Sequence, residues 1–150
     1  MKYDADGNIA LKYDATGNVA LNTKEVIYGE IRQDFSRFDN IAEQLSDQQQ
    51  KTQQQVYGNL LFYLLTESIN QEDHMVFDNI LSKINGQSLP NIKDESNTNV
   101  VAFCARFIDS IDFFNKLKSK LDDLPNKQEY FFEQATNKKN AIDTAIESNN

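Results

Sequence analysis

The chain has 150 residues, 39% hydrophobic and 25% charged, with a net charge of −8. That bounds it to one domain, or one domain with an appendage, and argues against wholesale disorder. The acidic balance argues against direct nucleic-acid binding, which needs clustered Lys and Arg, and leaves a basic protein partner open.

The first residues, MKYDADGN, hold no apolar stretch of the signal-peptide kind. Residues 2–21 are one ten-residue phrase written twice, KYDADGNIAL and KYDATGNVAL. Asp6-Gly7 and Thr16-Gly17, each followed by Asn, supply the positive φ angles of tight hairpins. Strand alternation places Tyr3, Ile9, Leu11, Tyr13, Val19 and Leu21 on one face. A short β-hairpin or meander of three strands over 1–21 is expected, and a sheet that small must pack on helices or on copies of itself. The Y-D-x-x-G-N phrase resembles the tyrosine-aspartate repeats of large surface and toxin proteins. The resemblance covers this segment alone, with a shorter period, and implies no function.

Helix signals begin at Asn22, which stands three positions before Glu25 in capping-box spacing. Ile31, Phe35, Phe38, Ala42 and Leu45 follow in alternating steps of four and three. The register continues through Gln49, Thr52, Val56, Asn59 and Tyr63. This is a heptad-like seam with a polar middle, and it fits one long N-terminal helix lying on its neighbours or a coiled coil with another chain. The seam leaves open whether that helix runs straight through Gln48–Gln55 or folds back at Gly58. NLLFYLL (59–65) is apolar on nearly all sides and belongs centrally. Its longest apolar run, Leu60 to Leu65, is far short of a membrane span.

A shorter helix is expected from about Gln71 to Asn85, with Val76, Phe77, Ile80, Leu81 and Ile84 as its stripe. GQSLPNIKDESN (86–97) reads as a loop. Val100, Phe103, Cys104, Phe107, Ile111, Phe114, Leu117 and Leu121 define the next helix, ending near Asp122. Cys104, the one cysteine, fills core volume there and can form no internal disulfide. Phe131, Ala135, Ile142, Ala145 and Ile146 mark a last helix beyond Pro125. The fold class is therefore mainly α. A bundle of about four helices over 22–150 is expected, with the repeat of 1–21 as its appendage.

Candidate chemistry is thin. DADGN (4–8) has acidic oxygens around a glycine turn, as calcium loops do. Aligning Gly7 with the loop glycine, however, puts Lys2 and Tyr13 at ligand positions. His74 is the one histidine and lacks a nucleophile or substrate proton for general-base work, so a half-exposed surface residue is expected. Asp109 with Asp112, and Glu129 with Glu133, share helix faces. A bundle metal site would need a Glu-x-x-His pair from two helices. No catalytic residue, metal ligand or cofactor is expected.

The aromatic arcs at Phe113-Phe114 and Tyr130-Phe131-Phe132 are wider than one seam needs. Aromatics are favoured interface anchors. Tyr3, Leu11, Tyr13, Val19, Phe113, Tyr130 and Phe132 are thus the candidate partner-binding residues. The reading is a non-enzymatic structural or assembly protein, a subunit of a larger complex such as a phage virion. It forms an oligomer with itself or other proteins, is cytoplasmic or assembled there, and uses no membrane. The alternative is a small acidic binding protein that inhibits or adapts a basic partner, for instance a nucleic-acid-processing one.

Overall fold

The computed structural model describes residues 3–85, 92–94, 98, 100, 103 and 111–121. Those residues are mainly helical. The helices are α1 (Leu21–Gln33), α2 (Arg37–Gln44), α3 (Gln53–Asn70), α4 (His74–Ser82) and α5 (Ile111–Leu121). The chain divides into two compact units, 1–64 and 65–150, and the division falls inside α3.

In the first unit no sheet forms among the described residues, so the expected meander is replaced by two closed turns. Each copy of the repeat makes one isolated antiparallel bridge, Tyr3 with Ile9 and Tyr13 with Val19. An aspartate opens each turn and takes up the donor on its inner side. Asp4 Oδ1 accepts the N–H of Asn8 at 3.0 Å, and Asp14 Oδ1 accepts that of Asn18 at 3.1 Å. With that donor spent on a side chain, pairing does not extend from the bridge toward the tip of the turn. The residues expected on one greasy face part company as well. Val19 is wholly buried, whereas Tyr3 is 40% and Leu21 58% exposed.

The long N-terminal helix is broken twice, into α1, α2 and α3. Asp34 is extended, with φ −149° and ψ 98°. Its Oδ1 accepts the Ser36 N–H at 3.1 Å and the Ser36 hydroxyl at 2.6 Å. This local pair competes with helix propagation. The second break follows Leu45. There Gln48 and Lys51 exchange backbone hydrogen bonds of 2.8 and 3.2 Å across a tight turn. Thr52 then opens α3 by a reciprocal capping box. Its N–H donates to Gln55 Oε1 at 2.9 Å, and its hydroxyl accepts the Gln55 N–H at 3.3 Å. The cap expected at Asn22 is absent, because α1 starts two residues earlier than that cap requires, at Leu21 after Ala20, with no side-chain cap.

The apolar seam positions are buried nonetheless. Ile31, Phe38, Leu45 and Val56 lie in the core of this unit, and Phe35 stacks on Phe38 at 5.4 Å. α3 passes Gly58 without interruption. Leu60, Leu61, Phe62, Leu64 and Leu65 are all buried, as an all-round apolar helix requires.

In the second unit the turn after α3 holds a residue of positive φ, Glu72 at +55°. The N–H groups of Glu72 and Asp73 reach back to the carbonyls of Ile69 (3.1 Å) and Ser68 (2.8 Å), a Schellman arrangement. Asp73 then caps α4 by accepting the Val76 N–H at 3.1 Å. The predicted stripe of α4 is buried throughout, from Val76 to Ile84. Each such side chain contributes roughly 1.5–3 kcal/mol. Within the same unit, α5 packs on α4. Phe113 meets Phe77 edge-on at 4.9 Å, and Leu117 is fully buried. Cys104, Phe107, most of the 86–97 segment and the expected last helix lie outside the described residues.

Candidate functional site

Two clusters carry the polar geometry. The first is the repeat with the Gln48–Lys51 turn. Both copies close by the same four bonds. In each, the Asp N–H donates to the Asn carbonyl at 2.8 Å, and the Gly N–H donates to the Asp carbonyl at 3.1 Å. The Asp carboxylate accepts the N–H of residue 6 or 16 at 2.9 Å and that of the Asn at 3.0 or 3.1 Å. Gly7 and Gly17 take φ +83° and +90°, which explains the glycine in both copies.

The copies differ in surroundings. A Cβ at Gly17 would lie 3.2 Å from Gln48 Cβ and 3.5 Å from Lys51 Cγ. A Cβ at Gly7 would meet nothing within 4 Å among the described residues. The second turn is therefore seated against the Gln48–Lys51 turn, and the first presents its tip to open space. Thr16 adds a hydroxyl bond to Asp14 Oδ1 at 2.6 Å, and Asn18 Nδ2 donates to Thr16 Oγ1 at 3.4 Å. Desolvation raises the Asp14 carboxyl, but the Thr16 and Asn18 donors together hold it below its ordinary range. Tyr3 donates its phenol to the Glu30 carboxylate, which also pairs with Arg37 at 2.8 Å.

The second cluster surrounds His74, the first residue of α4. The His74 ring stacks on Phe113, with centroids 4.3 Å apart and planes 6° off parallel. Lys116 Nζ lies 3.0 Å from His74 Nδ1 and 2.9 Å from Asp78 Oδ1. An ammonium only donates, so in this contact Nδ1 is the acceptor. The same ammonium lies 6.0 and 5.8 Å from the Phe77 and Phe113 ring centroids. His74 itself is exposed. Sequence reading placed it on the surface near a helix start but gave no sign of Lys116, 42 residues away.

The predicted partner residues fall into unlike settings. Tyr3 is exposed, and Leu11 and Tyr13 are half-buried. Val19 and Phe113 are buried, so their apolar surface is already covered within the chain. Tyr130 and Phe132 lie outside the described residues, as do Asp109, Glu129 and Glu133. The Asp-centred closure recurs where sequence reading saw only a loop. Asp94 N–H donates to the Thr98 carbonyl at 3.1 Å, and Thr98 N–H returns to Asp94 Oδ1 at 2.9 Å. The shared signal is an aspartate four residues before the donor.

Among the described residues no group of three or more His, Cys, Asp or Glu side chains is placed to hold a metal ion. None of their helices is long and apolar enough to cross a membrane. Compared with known proteins, no family model matches the chain, and neither a curated protein nor a solved structure does.

Proposed function

We propose that this chain is a non-enzymatic assembly protein, a subunit of a larger complex that it joins through its N-terminal repeat. One observation carries the reading. Two turns of the same form are built, one seated against Gln48 and Lys51, while a Cβ at the glycine tip of the other would meet nothing within 4 Å among the described residues. A duplicated element with an unspent tip, flanked by the exposed Tyr3 ring, suits recognition of a protein surface. The exposed histidine fits the same reading, since its Nδ1 and one ring face are taken up by Lys116 and Phe113.

Light scattering on the full chain at rising concentration, alone and after purification from its native source, tests the proposal. The expected result is a mass above the 17.2 kDa of one chain, or a co-purifying protein in fixed ratio. A strict monomer at high concentration with no companion overturns it.

A further inference from the structure

We infer that the Gln48–Lys51 turn is a cradle for a Y-D-x-x-G-N turn, and that the two copies are interchangeable in it by a ten-residue slip of the chain. The copies share eight of ten residues. Their closing hydrogen bonds agree within 0.1 Å. A cradle shaped for one copy therefore meets nearly the same backbone in the other.

The slip is open to the chain because the repeat is a closed loop. Ala20 N–H donates to the Lys12 carbonyl at 2.8 Å, so the backbone enters and leaves the second copy at neighbouring points. That copy can be looped out, and the first drawn into its place, once the first turn of α1 opens, because Ala20 is bonded to Leu21 and its carbonyl accepts the Lys24 N–H at 2.9 Å. The fit depends on glycine. At Gly17 the approach to Gln48 Cβ leaves almost no space for a side chain, and Gly7 offers the same bare, positive-φ tip.

The two differing positions, with their neighbours, set which copy is resident. Val19 is wholly buried, and Ile9 in its place brings one more methylene into a filled site. Thr16 bridges Asp14 and Asn18 by its hydroxyl, whereas Asp6 would set a second carboxylate beside Asp4. Outside the cradle the first copy is held by the Tyr3–Glu30 hydrogen bond and by Ile9, which is 6% exposed. The second copy is the resident and the first its reserve. In either register one turn is left outside the cradle. The inference does not rest on the assembly role, because the mass measurement and the experiment below can fail separately.

The test is a thermal double-mutant cycle on the full chain with Gly7→Asn and Gly17→Asn. Asparagine tolerates positive φ, so the backbone cost is common to both sites and only Gly17 carries the contact with the cradle. Each single substitution is expected to lower the melting midpoint by about 2 °C or less, because a glycine-tipped copy remains to fill the cradle. The double variant is expected to lose at least about 4 °C more than the sum. Adding Asp6→Thr and Ile9→Val to Gly17→Asn gives the reserve the resident's sequence and should return the midpoint toward wild type. The same pair should do nothing in the double variant. An additive cycle, or no recovery in the Gly17→Asn background, overturns the inference.

Discussion

The Tyr3 phenol donates a hydrogen bond to the Glu30 carboxylate, 27 residues along the chain. Glu30 stands in the last turns of α1 and also grips Arg37, the first residue of α2, at 2.8 Å. One carboxylate thus ties the start of the first repeat to the junction of two helices. The arrangement needs a neutral phenol, since a phenolate would face the carboxylate without a proton between them.

An alkaline titration reads this directly. The bond to Glu30 raises the Tyr3 phenol above its ordinary value near 10, with desolvation and the Glu30 charge adding to it. The folded value lies above the unfolded one, so the contribution is fully present below about pH 10 and is lost as pH climbs through the folded value. Burial and Asp39 raise Tyr57 as well. Absorbance at alkaline pH should show late-titrating tyrosines, and Tyr3→Phe should remove one of them. An unchanged late phase in Tyr3→Phe would contradict the bond.

The acid side has its own marker at the first helix break. The Ser36 hydroxyl and then the Ser36 N–H hold the Asp34 carboxyl below its ordinary range. A depressed carboxyl contributes stability above its unfolded value, near pH 4, and loses it as pH falls through the folded value. Ser36→Ala should move the Asp34 carboxyl back toward that ordinary range in a carbon-detected NMR titration. No movement would mean the break is held by something other than this Asp-x-Ser pair.

The capping box at the start of α3 gives a stability prediction. Thr52→Ala removes the acceptor for the Gln55 N–H and should cost about 1 kcal/mol. Gln55→Ala removes the acceptor for the Thr52 N–H and should cost less, since that exposed group can turn to water. Urea unfolding of both single variants and the pair measures this. The pair should cost less than the sum, because either change already opens the box.

These sites also show what was legible beforehand. The stripe of α4 and the buried seam positions Ile31, Phe38 and Leu45 follow from apolar spacing, because burial selects spacing whatever the chain does between turns. Helix continuity did not follow. The heptad register runs smoothly across Asp34-Phe35-Ser36 and Gln48–Lys51, yet short-range polar bonds end the helix at both places. Thr52-x-x-Gln55 was a capping signal hidden in a glutamine run, while Asn22-x-x-Glu25 matched the pattern and caps nothing. The repeat was plain as a repeat. Its form was not, because alternation counts side chains and ignores where Asp4 and Asp14 send their carboxylates. The His74 cluster depends on Lys116 from another helix, which no local pattern reports.

The turn after α3 offers a gain in stability. Glu72 holds φ +55°, a region that costs an L-residue about 1–2 kcal/mol relative to a right-handed one. Helices usually end on glycine at this position. Glu72→Gly should therefore raise stability by roughly 0.5–1 kcal/mol, the strain relief exceeding the added freedom of the unfolded chain. A lower midpoint in urea would show that the Glu72 side chain does more than occupy the turn.

Asn59 supplies the last prediction. It sits in α3 at 7% exposure, and its Oδ1 is buried with no hydrogen-bond partner among the described residues. An unsatisfied amide oxygen in an apolar setting carries a desolvation cost of about 1–3 kcal/mol. Leucine has similar volume and no such atom. Asn59→Leu should therefore leave stability unchanged or raise it by about 1 kcal/mol. Asn59→Asp should lower it by at least about 2 kcal/mol near neutral pH, because a charge is harder to bury than an amide. Chemical denaturation of the two variants side by side decides the matter. If leucine were the more damaging of the two, the amide would be engaged by its surroundings and its desolvation already compensated.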